Sequence, residues 1–184
     1  LQANTTASNS TAIGYQALYS NTAANNAAVG YKAMYSNTSG TTNVALGFTL
    51  QANTTGSENS AIGWAALYSN TTGSYNTAVG RSALLLNTTA DNNTAVGKDA
   101  MYANTTGTAN VGLGKDALAS NTTASENTAV GYQAAFLNTT GTGIVAVGQQ
   151  ALHSNTTANN HTALGYSAAY ANTTGHSNVA VGQA

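Results

Sequence analysis

Apolar and polar positions recur along this chain with a single period. Short runs such as "NTAVG" alternate with longer ones such as "YQALYSN", separated by turn-forming Asn, Thr, Ser and Gly. Taking the glycine that closes each short run as position 0 gives Gly14, Gly30, Gly47, Gly63, Gly80, Gly97, Gly114, Gly131, Gly148, Gly165 and Gly182. These are spaced 16, 17 and 16 residues apart, and then 17 throughout. Self-similarity at a fixed period is the signature of stacked repeats, each burying its inner face against its neighbours.

The copies can be compared with one another. Position −1 is always Val, Ile or Leu. Position −2 is Ala everywhere except Gly112. Position −4 is Asn in most copies (Asn26, Asn43, Asn59, Asn76, Asn93, Asn110, Asn127, Asn178) and departs at Ser10, Ile144 and His161. After the glycine, +3 is nearly always Ala, +4 mostly Leu or Met, and +7 is Asn followed by Thr. Positions +1 and +2 drift freely, as in Tyr-Gln, Trp-Ala, Arg-Ser and Lys-Asp. Constancy marks packing and drift marks solvent.

"NTAV" is a short β-branched run bounded by turn residues and predicts a strand. Constant positions 0, +3, +4 and +7 fit one face of a helix. "YQALYSN" is therefore expected to form a two-turn helix, with a second strand as the alternative. Pairs such as Tyr15/Tyr19, Tyr31/Tyr35, Trp64/Tyr68, Tyr132/Phe136 and Tyr166/Tyr170 would lie on its outer face. "NTTG" then turns the chain back. The expected architecture is one continuous solenoid over residues 1–184: about eleven coils of about 17 residues, one short strand and one short helix each, strands stacked in parallel. An all-β roll is the alternative. The two one-residue deletions, in 21–26 and 47–53, spare the strand. Ala, Leu and Val are expected inside, and Asn at one phase of successive coils can form an amide ladder.

Position −2 needs a reason for its constancy. If Val at −1 faces the coil's own helix, Ala at −2 faces away from it. Either that strand lies between two walls of one narrow coil, or Ala12, Ala28, Ala45, Ala61, Ala78, Ala95, Ala129, Ala146, Ala163 and Ala180 line contact with a partner chain.

The phrase G-x-x-A…G-x-x-N-x-A-V-G resembles the head repeats of YadA-type trimeric autotransporter adhesins, which carry an S/N-x-A-I/V-G strand and a G-x-x-A step. The wording around "NTAVGYQA" is also similar to tandem repeats of bacterial and phage tail-fibre-domain proteins. The resemblance spans the whole chain, through low-complexity motifs. It implies a left-handed parallel β-roll, three chains around an axis and display outside the cell. The coil here is about three residues longer than that family's, and the extra residues fall in "LYSNTT".

Composition narrows the function. Only 5% of residues are charged, against roughly 25% in an ordinary soluble protein. Net charge is −1, which leaves no electrostatic footprint for nucleic acid and no polybasic membrane patch. No apolar run approaches the roughly 20 residues of a membrane span. Cysteine is absent, so disulfide stapling is excluded. The chain opens and closes in mid-phrase, as expected of a segment from a longer protein.

His153, His161 and His176 fall at three different phases, and Glu58, Asp91, Asp99, Asp116 and Glu126 at drifting or turn positions. That pattern gives no reason to expect an acid/base pair, a metal or a cofactor. Lys98-Asp99 and Lys115-Asp116 are expected to form a small surface charge cluster. Two features remain. Asn-Thr-Thr or Asn-Thr-Ser begins at Asn4, Asn37, Asn53, Asn70, Asn87, Asn104, Asn121, Asn138, Asn155 and Asn172, an N-glycosylation pattern once per coil. The alternative is a turn residue whose amide satisfies backbone groups. The second feature is an aromatic stripe at +1 and +5, suited to sugars or a neighbouring fibre, or simply a tolerant outer face. The expected function is a non-catalytic extracellular rod, of an appendage, adhesin or tail fibre, partnered mainly with itself as a homotrimer or filament. Cell-surface glycans are possible ligands of a binding-module alternative.

Overall fold

The computed structural model describes residues 7–183. It is a parallel β-solenoid in which each repeat contributes one strand. The strands are β1 (Thr11–Ile13), β2 (Ala27–Val29), β3 (Val44–Phe48), β4 (Ser60–Trp64), β5 (Thr77–Val79) and β6 (Thr94–Val96). The remainder are β7 (Val111–Leu113), β8 (Thr128–Val130), β9 (Val145–Val147), β10 (Thr162–Leu164) and β11 (Val179–Val181). They form a single 11-stranded sheet in sequence order. Register is strict: Ala28 pairs with Ala45, Ala45 with Ala61, and Ala146 with Ala163. Each strand meets only its predecessor and successor, as nearest-neighbour stacking requires.

No helix forms among the described residues. The segment expected to be helical is a chain of turns, because positions +2 and +4 take left-handed backbone conformations. Examples are Asp116 (φ 59) and Leu118 (φ 51), or Lys32 (φ 52) and Met34 (φ 50). A left-handed residue costs on the order of 1 kcal/mol outside glycine and ends any right-handed helix. What compensates is hydrogen bonding along the stack. Leu118 donates its N–H to Ala134 O at 3.0 Å and Ser120 to Phe136 O at 3.1 Å, both in the next coil. Asp116 donates back to Lys98 O in the previous coil at 3.0 Å. A two-turn helix would satisfy few of its own groups, whereas the stack satisfies them between coils.

The expected inner positions +3, +4 and +7 are nevertheless inside. Ala117, Leu118 and Asn121 are fully buried, as are their counterparts in the central coils. The strand is reversed relative to expectation. Ala at −2 points into the core: Ala28, Ala45, Ala61, Ala78, Ala95, Ala129, Ala146 and Ala163 are all 0% exposed. Ala12 and Ala180, in the terminal coils, are half-buried. Val, Ile or Leu at −1 faces outward instead, with Leu46 at 38% and Val96 at 38%. The contact proposed for these Ala side chains is therefore within one chain, and Val does not fill the inside. The core is a narrow column of Ala, Leu and Met.

Position 0 must be glycine for two reasons at once. Gly114 has φ +132, which side chains disfavour, and a Cβ there would lie 2.5 Å from Gly131 O in the next coil. The lone glycine at −2 has a different cause. A Cβ on Gly112 would meet Met101 Cγ at 2.9 Å.

Candidate functional site: ladders and outer columns

The chemistry-bearing residues of this chain are arranged as columns along the stack. The most continuous column is the +7 asparagine. Asn53 donates its Nδ2 to Asn37 Oδ1 at 2.7 Å, Asn70 to Asn53 at 2.8 Å, and Asn87, Asn104 and Asn121 each to the preceding Asn at 2.9 Å. The second Nδ2 hydrogen goes to a carbonyl three residues on, as from Asn104 to Gly107 O at 2.9 Å. These asparagines are 0% exposed. Both amide hydrogens are engaged, and neither space nor a free N–H is left for a sugar.

That arrangement corrects the glycosylation reading at Asn37, Asn53, Asn70, Asn87, Asn104, Asn121, Asn138 and Asn155. Asn172 is half-buried and its Nδ2 is bonded to Gly175 O at 3.1 Å. Asn4 lies outside the described residues. The alternative, an amide serving backbone groups at a turn, is what the geometry shows.

The −4 asparagine makes a second ladder, through the backbone. Asn93 Oδ1 accepts from Asn110 N at 3.0 Å, and Asn93 Nδ2 donates to Gly107 O at 2.9 Å. The +8 threonine makes a third, on the rod's flank: Thr71 Oγ1 donates to Thr88 O at 3.0 Å and Thr105 Oγ1 to Thr122 O at 3.0 Å.

The three histidines are explained by these columns. His161 replaces an asparagine at −4 and is buried; its Nδ1 accepts from Asn178 N at 3.2 Å. Its Nε2 lies 2.9 Å from Asn172 Nδ2. His153 stands in the +5 aromatic column, and burial lowers its pKa from the usual value. His176 Nδ1 accepts from Asn159 N at 3.0 Å. Among the described residues no three His, Asp or Glu side chains converge as a metal site would require.

Aromatic residues stack between coils, not along a helix face. Tyr15 lies over Tyr31 at 5.6 Å, Tyr19 over Tyr35 at 5.0 Å, and His153 over Tyr170 at 4.7 Å. Cations fill the same columns: Arg81 lies 5.4 Å from the Trp64 ring and Lys115 5.1 Å from Tyr132. Lys98 and Asp99 pair at 3.2 Å, as do Lys115 and Asp116. The Asp116 hydrogen bond and charge raise the Lys115 pKa. Comparison with known proteins finds no match to a family model, to a curated protein or to a solved structure.

Sequence reasoning missed the outward face of the sheet. Positions −3 and −1 present Thr or Val (Ala27 and Ser60 in two coils) beside Val, Ile or Leu, in line with the +1 column. The available signal was the choice at −1: always apolar, yet varying freely among Val, Ile and Leu. A tightly packed site resists such changes of shape.

Proposed function

We propose that this chain is a structural rod: a rigid spacer segment of an extracellular fibre, of the adhesin or tail-fibre kind, assembled from three copies and displayed on a cell or virion surface. It carries out no catalysis. The observation that supports this reading most is the direction of its hydrogen bonds. Strand amides, turn amides, two asparagine ladders and a threonine ladder all bond between successive coils. Length then scales with coil number while each coil-to-coil joint stays the same, which suits a spacer.

The assembly face in this reading is the outer face of the sheet. Ile62 (39%), Val96 (38%) and Leu164 (38%) belong to an apolar column that runs the length of the rod. Eleven strands at ~4.8 Å span about 50 Å, and positions −3 to +1 are ~13 Å wide. The face therefore covers roughly 650 Å², which a copy in a trimer would divide between its two neighbours.

Light scattering tests the proposal. The chain has a mass of 18.4 kDa, so a trimer scatters as about 55 kDa. Leu46→Lys with Val96→Lys, both outward, should return it to monomer without loss of β-sheet circular dichroism. A wild-type chain that stays at monomer mass overturns the assembly, and electron micrographs without rods overturn the spacer role.

A second reading, a filament coated with sugar, is favoured by one observation. The +9 hydroxyls, such as Thr55, Thr72, Thr106 and Thr140, form an exposed row beside the threonine ladder. O-linked sugar there would clash with nothing in the core. Intact-mass measurement of native material distinguishes the two, since sugar adds mass in steps.

A further inference from the structure

The +5 column loses its ring at Gln51, Leu85 and Ala119, and of these only Ala119 puts a side chain as small as a methyl group in its place. Tyr102, Phe136, His153 and Tyr170 occupy this phase, but Ala119 stands between Tyr102 and Phe136. The missing ring leaves a notch of about 490 Å³ lined by Asp99, Tyr102, Ala103, Ala119, Ser120 and Phe136. The notch is shallow and open to solvent on its outer side.

We infer that this notch binds one small aromatic molecule carrying an N–H or O–H donor, of the phenol or indole class, between Tyr102 and Phe136. The spacing of the stack argues for a flat ring. The two flanking coils are separated by about 9.6 Å, twice the ~4.8 Å strand spacing. A ring midway would lie ~4.8 Å from each neighbour. That matches the 4.7 Å and 5.3 Å separations of His153 from Tyr170 and Phe136 in the same column. Ala103 and Ala119 supply small side chains that leave room for it. Polar groups argue for the donor: Asp99 brings a carboxylate, its charge balanced by Lys98 at 3.2 Å, and Ser120 a hydroxyl. The inference is independent of how many rods associate.

The test is a titration of the chain with p-cresol and with indole, followed by NMR. Saturable shifts should be confined to Ala103, Ala119, Ser120 and the flanking rings, with millimolar affinity as expected of a ligand this small. Ala119→Tyr fills the notch with a residue that this phase accepts elsewhere, and should abolish binding while the fold is retained. His153→Ala opens an equivalent gap between Phe136 and Tyr170, and should raise the stoichiometry from one to two. Tyr102→Ala should weaken binding about two- to tenfold, the contribution of one aromatic pair.

Absence of saturable shifts at about 10 mM ligand, or binding unaffected by Ala119→Tyr, overturns the assignment. Methyl glucoside binding in preference to either aromatic would make the notch a sugar site and also overturn it. N-acetyltyrosinamide binding tenfold tighter than p-cresol would assign the notch to a partner's side chain instead.

Discussion

Replacing His161 by asparagine should stabilise the C-terminal coils. In an ordinary coil the −4 amide does two things: its oxygen accepts the next coil's N–H and its nitrogen donates to a carbonyl, as Asn127 does to Gly141 O at 2.9 Å. His161 performs only the first, accepting from Asn178 N at 3.2 Å. A neutral imidazole has one acceptor nitrogen, so it cannot also accept from Asn172, whose Nδ2 stands 2.9 Å from Nε2. Asn172 is held away from the preceding rung, and Asn155 Oδ1 is buried without a partner. His161→Asn restores the donor to Gly175 O and frees Asn172 to cap Asn155. Satisfying a buried acceptor is worth roughly 1–2 kcal/mol net, partly offset by the smaller apolar burial of the side chain. At ~2–4 °C per kcal/mol for a chain of this size, Tm should rise by about 2–6 °C. Coils near an end open locally, so hydrogen exchange of the Asn178 amide is the sharper assay, and it should slow several-fold. A faster exchange, or a Tm unchanged or lowered, would refute the account of the ladder.

Four further outcomes follow from the columns. Asn104→Ala removes one rung, leaves Asn87 Oδ1 without its partner and takes one of two partners each from Gly107 O and the Asn121 amide; it should cost about 2 kcal/mol in urea unfolding, and a loss under 1 kcal/mol would contradict the ladder. Gly114→Ala should prevent normal stacking, because its Cβ meets a backbone oxygen at 2.5 Å, whereas Gly112→Ala meets the flexible Met101 side chain first and Ala117 O only at 3.3 Å, and should be the milder change; circular dichroism melts of the pair decide it. Ala109→Gly should stabilise by about 0.5–1 kcal/mol, since Ala109 has φ 56 at a phase where Gly143 already serves (φ 66). Burial depresses the His153 pKa, so the unfolded chain binds the proton more readily. Stability should therefore be complete above the usual histidine range, near 6.5, and fall as pH drops through it. His153→Phe should reduce that slope in urea midpoints between pH 8 and 5.

How far the fold was legible differs from position to position. The coil boundaries were legible because Gly114 and its equivalents meet two separate constraints, φ and closeness, that no other residue meets. The parallel stack followed from that period. The inside positions +3, +4 and +7 were legible because the residues there, such as the buried Ala117, Leu118 and Asn121, change little from coil to coil. The conformation joining them was not. Spacing 0, +3, +4, +7 fits a helix, but alternating right- and left-handed residues at +1 to +4 place the same side chains inward. Leu118 at φ 51 carries no sequence mark, because its strain is relieved by Ala134 O in the next coil, outside any local window.

The asparagines show why constancy reveals burial sooner than it reveals role. Asn121 stands at a position that is Asn in every copy and Asn127 at one that is Asn in most; both are buried, yet one bonds a side chain of the preceding coil and the other a backbone N–H of the next. A glycan acceptor and a ladder rung both predict Asn-Thr-Thr once per coil. What separates them is the environment: a glycan needs an exposed amide, whereas this position lies between a constant Ala-Leu pair and an invariant Thr. The threonine is the better clue. A glycosylation signal leaves the residue directly after the asparagine free to be almost anything but proline, but every copy here has threonine there, and its Oγ1 donates to the next coil's carbonyl. Thr105→Ser keeps that hydroxyl and should preserve the ladder, whereas Thr105→Val should weaken it by about 1 kcal/mol. Equal stability of the two would assign the constancy of this position to packing of the methyl group rather than to the bond.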